Sequence, residues 1–356
     1  MHPASTPASG RRFRGSFRLV VLAISVVGAW AFCAAAQGVD EPPATSGEPA
    51  AGREPMGEFA RMAQGEWRLG TVQADRWTWG PGRHSIRSHT DGFGGDGKPW
   101  RELVIYYWRP DRKEIHLLSF HPDIPGIGRG VGEGVFEFDG DTAAASIVLR
   151  QPGRPTPVRR TLASRWTFAD PDHYHEVLLE DSGAGLAPLA EWDYARSMEL
   201  TLWPAPAPGA APTPSRNIGA FVPLLGDWES QGDQERRLRS SFEWMEYLDV
   251  VALRVERATD VDEAEHVLDA YLYHHLGSDE LRCLALSASG GVYEGVVTVL
   301  KDSSLEVDLR GHEGDRPARF AVRLDHTRDE RLRQRVWSVD GAARRLLLDM
   351  RLARKE

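Results

Sequence analysis

The run Trp100-Arg101-Glu102-Leu103-Val104-Ile105-Tyr106-Tyr107-Trp108-Arg109, stopped by Pro110-Asp111, has a period of two. Trp100, Glu102, Val104, Tyr106 and Trp108 alternate with Arg101, Leu103, Ile105, Tyr107 and Arg109. Successive side chains of a strand point to opposite faces, so each set lines one surface. The same period recurs far downstream. Leu305, Val307 and Leu309 alternate with Glu306, Asp308 and Arg310, and Phe320, Val322 and Leu324 with Ala321, Arg323 and Asp325. Turn formers separate such runs: Gly94-Gly95-Asp96-Gly97, Asp139-Gly140-Asp141, Gly290-Gly291 and Asp340-Gly341. Short alternating runs between turn signals predict an antiparallel all-β protein. Roughly nine or ten strand candidates per half suit a sandwich or a closed barrel, and closure removes exposed edges. No strand–helix alternation of the kind a parallel α/β sheet needs is present.

The halves are set by composition. Residues 204–216, Pro-Ala-Pro-Ala-Pro-Gly-Ala-Ala-Pro-Thr-Pro-Ser-Arg, read as a Pro/Ala linker. Such a linker is extended and semi-rigid and is expected to hold its neighbours apart. On either side the chain repeats itself. Phe59-Ala60-Arg61-Met62-Ala63-Gln64-Gly65-Glu66-Trp67 answers to Phe221-Val222-Pro223-Leu224-Leu225-Gly226-Asp227-Trp228, and Glu133-Gly134-Val135 to Glu294-Gly295-Val296. Gly65 to Glu133 and Gly226 to Glu294 are both 68 residues. Equal spacing of matched motifs indicates a duplicated unit. The expected organisation is a leader peptide over 1–36, a disordered stretch rich in Pro, Gly, Ala and Glu over 37–55, one barrel over 56–203, the linker, and a second barrel over 217–356.

The leader reading rests on Arg11, Arg12, Arg14 and Arg18, the apolar run Leu19 to Phe32, and Ala34-Ala35-Ala36 before Gln37. Basic, apolar and small-residue segments in that order make a secretory signal peptide, and the apolar run is short for the ~20 residues that span a bilayer. The chain is therefore expected to be exported, periplasmic or secreted, with no stable membrane anchor after cleavage. Taking the four leader arginines from the 43 basic residues leaves 39 against 52 acidic ones, a net charge of −13. That balance excludes a basic nucleic-acid surface. Of the two cysteines, Cys33 falls in the leader, so Cys283 has no internal partner for a disulfide. It is expected to pack as a small hydrophobe.

Gly-x-Trp on the first strand, just after a short helical plug, resembles the lipocalins and their calycin-like relatives. The Thr-Asp-Tyr-like second signature is missing, so the likeness is to uncharacterised secreted lipocalin-like proteins rather than to true lipocalins. The resemblance implies two tandem antiparallel barrels, each with its tryptophan at the closed end beneath an arginine from the last strand. The matching residues are Gly65, Trp67 and Arg196 in one copy, and Gly226 and Trp228 with Arg351 or Arg354 in the other. It also implies a cup with an interior site for a small, largely apolar ligand.

The residues themselves point to the first copy. It holds Trp67, Trp77, Trp79, Trp100, Trp108, Trp166 and Trp192, whereas the second holds only Trp228, Trp244 and Trp337. A surplus of large amphipathic rings reads either as a lined pocket or as a bulkier core. The expected lining is Trp79 and the face bearing Trp100, Val104, Tyr106 and Trp108, joined by Trp166 and Phe168. Arg87, within the alternating segment His84 to Thr90, is the candidate for an inward arginine holding a ligand carboxylate. Glu133 is a candidate polar anchor or acid/base group, although its occurrence in both copies, as Glu133 and Glu294, favours a shared structural role. His173-x-His175 could present two rings to one face, with His175 placed at the site, but no third metal ligand can be assigned. Gly126, Gly128, Gly130, Gly132 and Gly134 lack the spacing of a phosphate loop. No nucleophile elbow or His-Glu-x-x-His motif is present. No catalytic residue, metal or cofactor is therefore assigned.

Three functions remain open on this reading. The first is an exported binder of a small apolar or amphipathic molecule, with its pocket in the first copy and the second copy mainly structural. The second is a barrel enzyme of hydratase or isomerase type using Glu133 and a histidine. The third is an interaction module with filled barrels. The oligomeric state is not legible.

Overall fold

The computed structural model describes residues 55–94, 97–122, 127–153, 156–199, 215–231, 237–245, 248–258, 264–327 and 331–355. The expected signal peptide, nearly all of the leader stretch and residues 204–214 of the linker lie outside them. The first half forms β1 (Glu66–Leu69), β2 (Gln73–Trp79), β3 (Ser85–Phe93), β4 (Pro99–Arg109), β5 (Glu114–His121), β6 (Gly130–Asp139), β7 (Thr142–Gln151), β8 (Val158–Asp170), β9 (His173–Asp181) and β10 (Leu186–Ser197). The second forms β11 (Gly226–Ser230), β12 (Leu238–Trp244), β13 (Val250–Ala258), β14 (Ala264–His275), β15 (Glu280–Ser287), β16 (Val292–Val299), β17 (Leu305–Glu313), β18 (Arg316–Thr327), β19 (Arg331–Asp340) and β20 (Ala343–Arg354). Each set of ten is a closed antiparallel barrel in which every strand pairs with the next in sequence. Closure places Trp67 opposite Arg196 between β1 and β10, and Trp228 opposite Arg354 between β11 and β20.

One end of each barrel is stoppered by a short 3-10 helix, Gly57–Arg61 in the first and Arg216–Leu224 in the second. Phe59 and Phe221 are fully buried beneath them. The Trp67 indole N–H donates to the Met62 carbonyl at 3.2 Å, and that of Trp228 to the Leu224 carbonyl at 2.6 Å. Arg196 and Arg354 each lie 4.7 Å above the ring of their tryptophan, so Arg354 rather than Arg351 fills this place in the second copy. Each also donates to plug carbonyls, Arg196 to Arg61 O at 2.6 Å and Arg354 to Leu225 O at 2.7 Å. A guanidinium can stack on a ring and donate from its edge at once, which lysine cannot. The glycine of Gly-x-Trp has a positive φ in both copies, +73° at Gly65 and +112° at Gly226. A Cβ at Gly226 would lie 2.7 Å from Arg354 Nη1, and one at Gly65 2.6 Å from Ser197 O, so the motif needs glycine at both places.

The two barrels pack directly against one another, contrary to the expectation that the linker keeps them apart. Leu103, Ile105, Tyr107, Leu118, Phe120 and Val131 from the outer wall of the first form one buried cluster with outer-wall residues of the second, among them Val250, Tyr271, Tyr273, Leu284 and Leu286. Phe120 meets Tyr273 edge to face at 5.1 Å. The contact is reciprocal. Glu133 on β6 reaches His275 at 3.5 Å and Arg282 at 3.8 Å, whereas its counterpart Glu294 on β16 accepts from Tyr107 at 3.0 Å and Arg109 at 3.2 Å. Apolar residues on alternate faces of β4 thus serve two cores, one inside its barrel and one between barrels.

Candidate ligand-binding site

Inside the first barrel lies a cavity of ≈ 340 Å³. Its floor is aromatic. Trp77 and Tyr106 stack at 5.4 Å, Trp166 stands edge-on to Trp77 at 5.9 Å, and Phe59 of the plug touches Tyr106 from below at 5.0 Å. Tyr174 and Tyr194 stack at 4.6 Å along the wall. Partly exposed Gln73, Trp100, Ala190 and Trp192 also line it.

Three carboxylates face this space: Asp75, Glu102 and Glu176. Strand register puts the first two on one level. Asp75 on β2 is opposite Thr90 on β3, and Thr90 is opposite Glu102 on β4. His121 on β5 sits 2.9 Å from Glu102 through Nδ1, and the Ser119 hydroxyl lies 2.9 Å from its Nε2. Gln73 donates to Tyr194 at 2.8 Å and lies 3.2 Å from Asp75. Ser164 donates to Glu176 at 2.6 Å and accepts from the Trp166 indole at 2.9 Å. Burial pushes the Asp75 carboxyl up to about 8, with the negative fields of Glu102 and Glu176 adding to it and bonds from Gln73 and Thr90 opposing it. Burial also holds Glu176 above the usual carboxylate range. No Lys or Arg is among the described lining residues.

The second barrel lacks this chemistry at equivalent positions. Counting register outward from Trp67 and Trp228, Asp75 answers to Ser240 and Trp77 to Phe242. Aligning Arg196 with Arg354 makes Glu176 answer to Gln334, and Tyr174 and Tyr194 to Leu332 and Leu352. Aligning Tyr107 with Tyr273 makes Glu102 answer to Leu268 and Tyr106 to Leu272. Phe221, Trp228, Phe242, Leu272, Leu332 and Leu352 belong there to one buried cluster.

Of the residues expected at the site, Trp100, Tyr106 and Trp166 line the cavity. Phe168 is buried nearby against Trp166 and Tyr174 but does not line it. Trp79 packs partly buried at the edge of the same core, under the Arg83 guanidinium at 5.8 Å. Trp108 lines a separate groove of ≈ 590 Å³ near the plugged end, with Glu58, Glu137 and Arg165. Three expectations are corrected by strand parity. Ser88 and Thr90 are the inward residues of β3, so Arg87 points out of the barrel, where it is buried against Tyr271 and Asp269 of the second. On β9, Tyr174 and Glu176 face inward, so His175 faces out and pairs with Asp193 at 2.8 Å. Glu133 faces the other barrel, and its bond to His275, with Arg282 and Arg150 close by, holds its carboxyl below the ordinary range. Glu133 and His116 do line a common cleft of ≈ 380 Å³, but that cleft lies between the barrels. Asp75, Trp77, Glu102, His121 and Glu176 line the cavity without being among the residues expected there. Gln73, Asp75 and Trp77 carry the same two-residue period as β4, so the inward face of β2 was there to be read.

Among the described residues no group of three or more His, Cys, Asp or Glu side chains is gathered to hold a metal ion. Cys283 is buried, and its thiol is pushed up to about 12 by desolvation. No known protein family matches the chain, and comparison with curated proteins finds no relative. The site must therefore be judged on its geometry.

Proposed function

We propose that this is an exported, lipocalin-like binding protein that takes up a small amphipathic molecule in its first barrel, with the second barrel as structural support. The observation that carries the reading is the contrast between the interiors. One encloses ≈ 340 Å³ with aromatic floor and polar wall. The other carries aliphatic side chains where the first has Tyr106, Tyr174 and Tyr194. Ligand sites are concave, mainly apolar and furnished with few convergent polar groups, and a volume near 300 Å³ suits a compact molecule. The direct test is native mass spectrometry of the chain from residue 37, purified gently from its export compartment. A bound mass is expected. It should vanish in Ala190→Trp, which fills the cavity from a partly exposed lining position. A bound mass that persists in Ala190→Trp would overturn the placement of the site, and an apo chain that takes up no small molecule would overturn the binding reading.

A barrel enzyme is the second reading. It is favoured by the presence of Asp75 and Glu176 in one cavity, both with raised pKa, since proton-transfer sites are built from such carboxyls. Turnover of a bound ligand, lost in Asp75→Asn with binding retained, would select it.

A further inference from the structure

The polarity of the cavity narrows the ligand further, given that the first barrel is a binding site. We infer that the first barrel takes a compact organic ammonium: an amine joined to an aromatic or alicyclic body that also carries a hydrogen-bond acceptor. Four observations support this. Among the described residues the titratable acids and bases lining the cavity, tyrosines aside, are Asp75, Glu102, Glu176 and His121, and the histidine is already set against Glu102. An anionic ligand would bring its charge beside three acidic side chains, in a space where no described lining residue is a guanidinium or ammonium that could receive it. The inward arginine that would have received a carboxylate is instead turned outward. A cation, by contrast, is attracted both by the carboxylates and by the faces of Trp77, Tyr106 and Trp166.

The second observation is that the fold does not require these acids. At their structural equivalents the second barrel carries Ser240, Leu268 and Gln334, all buried in the same kind of wall. The third is the cost of the arrangement. Burial raises the Asp75 carboxyl, the fields of Glu102 and Glu176 add to it, and burial likewise raises Glu176, so a positive charge brought by a ligand would offset a strain that the apo cavity carries. The fourth is the Trp77 indole N–H. It is buried, lines the cavity and has no hydrogen-bond partner. Unpaired buried donors are uncommon, and this one calls for an acceptor brought in by the ligand.

The test uses matched probes on the wild-type exported chain by isothermal titration calorimetry. Tyramine and 5-hydroxytryptamine are compared with tyrosol, 5-hydroxytryptophol and the anions 3-(4-hydroxyphenyl)propionate and 5-hydroxyindole-3-propionate. The amines are expected to bind at least tenfold more tightly than the alcohols, and the anions not to bind. A variant carrying Asp75→Ser, Glu102→Leu and Glu176→Gln installs the residues with which the second barrel already folds. It is expected to lose the tenfold preference and to retain alcohol binding. Alcohols or anions that bind as tightly as the amines would overturn the ammonium inference and leave the pocket reading standing. Failure of all six probes, in a chain whose cavity also arrives empty from its compartment, would overturn both.

Discussion

Replacing Asp75 by asparagine should remove a pH dependence of stability that can be worked out in advance. The folded carboxyl is pushed up to about 8 from the ordinary 3.8. Between those two values the unfolded chain has released the proton and the folded chain still holds it. Stability conferred by this group is thus full below about pH 4, falls as pH rises, and reaches its minimum above pH 8. The slope is about 1.4 kcal/mol per pH unit, so about 4 kcal/mol is lost between pH 4 and pH 7. Asparagine keeps the shape and can still bond to Gln73 and Thr90, but it does not titrate. Urea unfolding at pH 4, 5, 6, 7 and 8, followed by tryptophan fluorescence, gives the difference between wild type and Asp75→Asn directly. The variant should gain on the wild type by more than 3 kcal/mol across that window. Parallel curves would refute the argument, because they would mean that Asp75 is ionised in the folded protein and that the cavity already neutralises it.

Other consequences can be measured on the same footing. Arg196→Lys should cost about 2 kcal/mol, because the ammonium can no longer cover Trp67 and bond the plug carbonyl together; a loss under 0.5 kcal/mol would show that the cap is decorative. Arg354→Lys should behave alike in the second barrel. Ile105→Glu, which buries a charge in the contact between barrels, should cost more than 3 kcal/mol and split one calorimetric transition into two; a single unshifted transition would mean that position 105 does not lie buried between the barrels. Gly295→Ala should destabilise by at least 2 kcal/mol, as its Cβ would stand 2.1 Å from the Asp308 carbonyl, and wild-type stability would show that β16 and β17 can part there.

Much of the architecture was legible because barrels are written in a period of two, and the duplicated Gly-x-Trp motif located both closed ends. The cavity was half legible. Trp100, Tyr106 and Trp166 follow from aromatic surplus and parity on strands whose limits are sharp in sequence. Arg87 and His175 were misplaced because parity needs an anchor. The alternation in β3 and β9 is blurred, and a one-residue slip turns every side chain to the other face. The contact between barrels was also present in the sequence. Leu103-Val104-Ile105-Tyr106-Tyr107 is apolar on both faces, which in an antiparallel wall means that neither side meets water. What no local pattern discloses is that Glu176, from the far end of the half, closes on Asp75 and Glu102. That meeting is made by barrel closure, not by spacing along the chain.

The reciprocal use of Glu133 and Glu294 is the contact pattern of a two-fold dimer, here spelled out in one polypeptide. In a dimer of identical chains every substitution appears twice, so a carboxylate introduced into one cup is introduced into its mate and burdens both. Joined end to end, the copies are free to diverge. One can accumulate buried charge at a cost to its own stability, while the other, aliphatic where its mate is polar, lends that stability back through the shared wall. The asymmetry between Asp75, Glu102 and Glu176 on one side and Ser240, Leu268 and Gln334 on the other is one that a homodimer of identical chains could not hold.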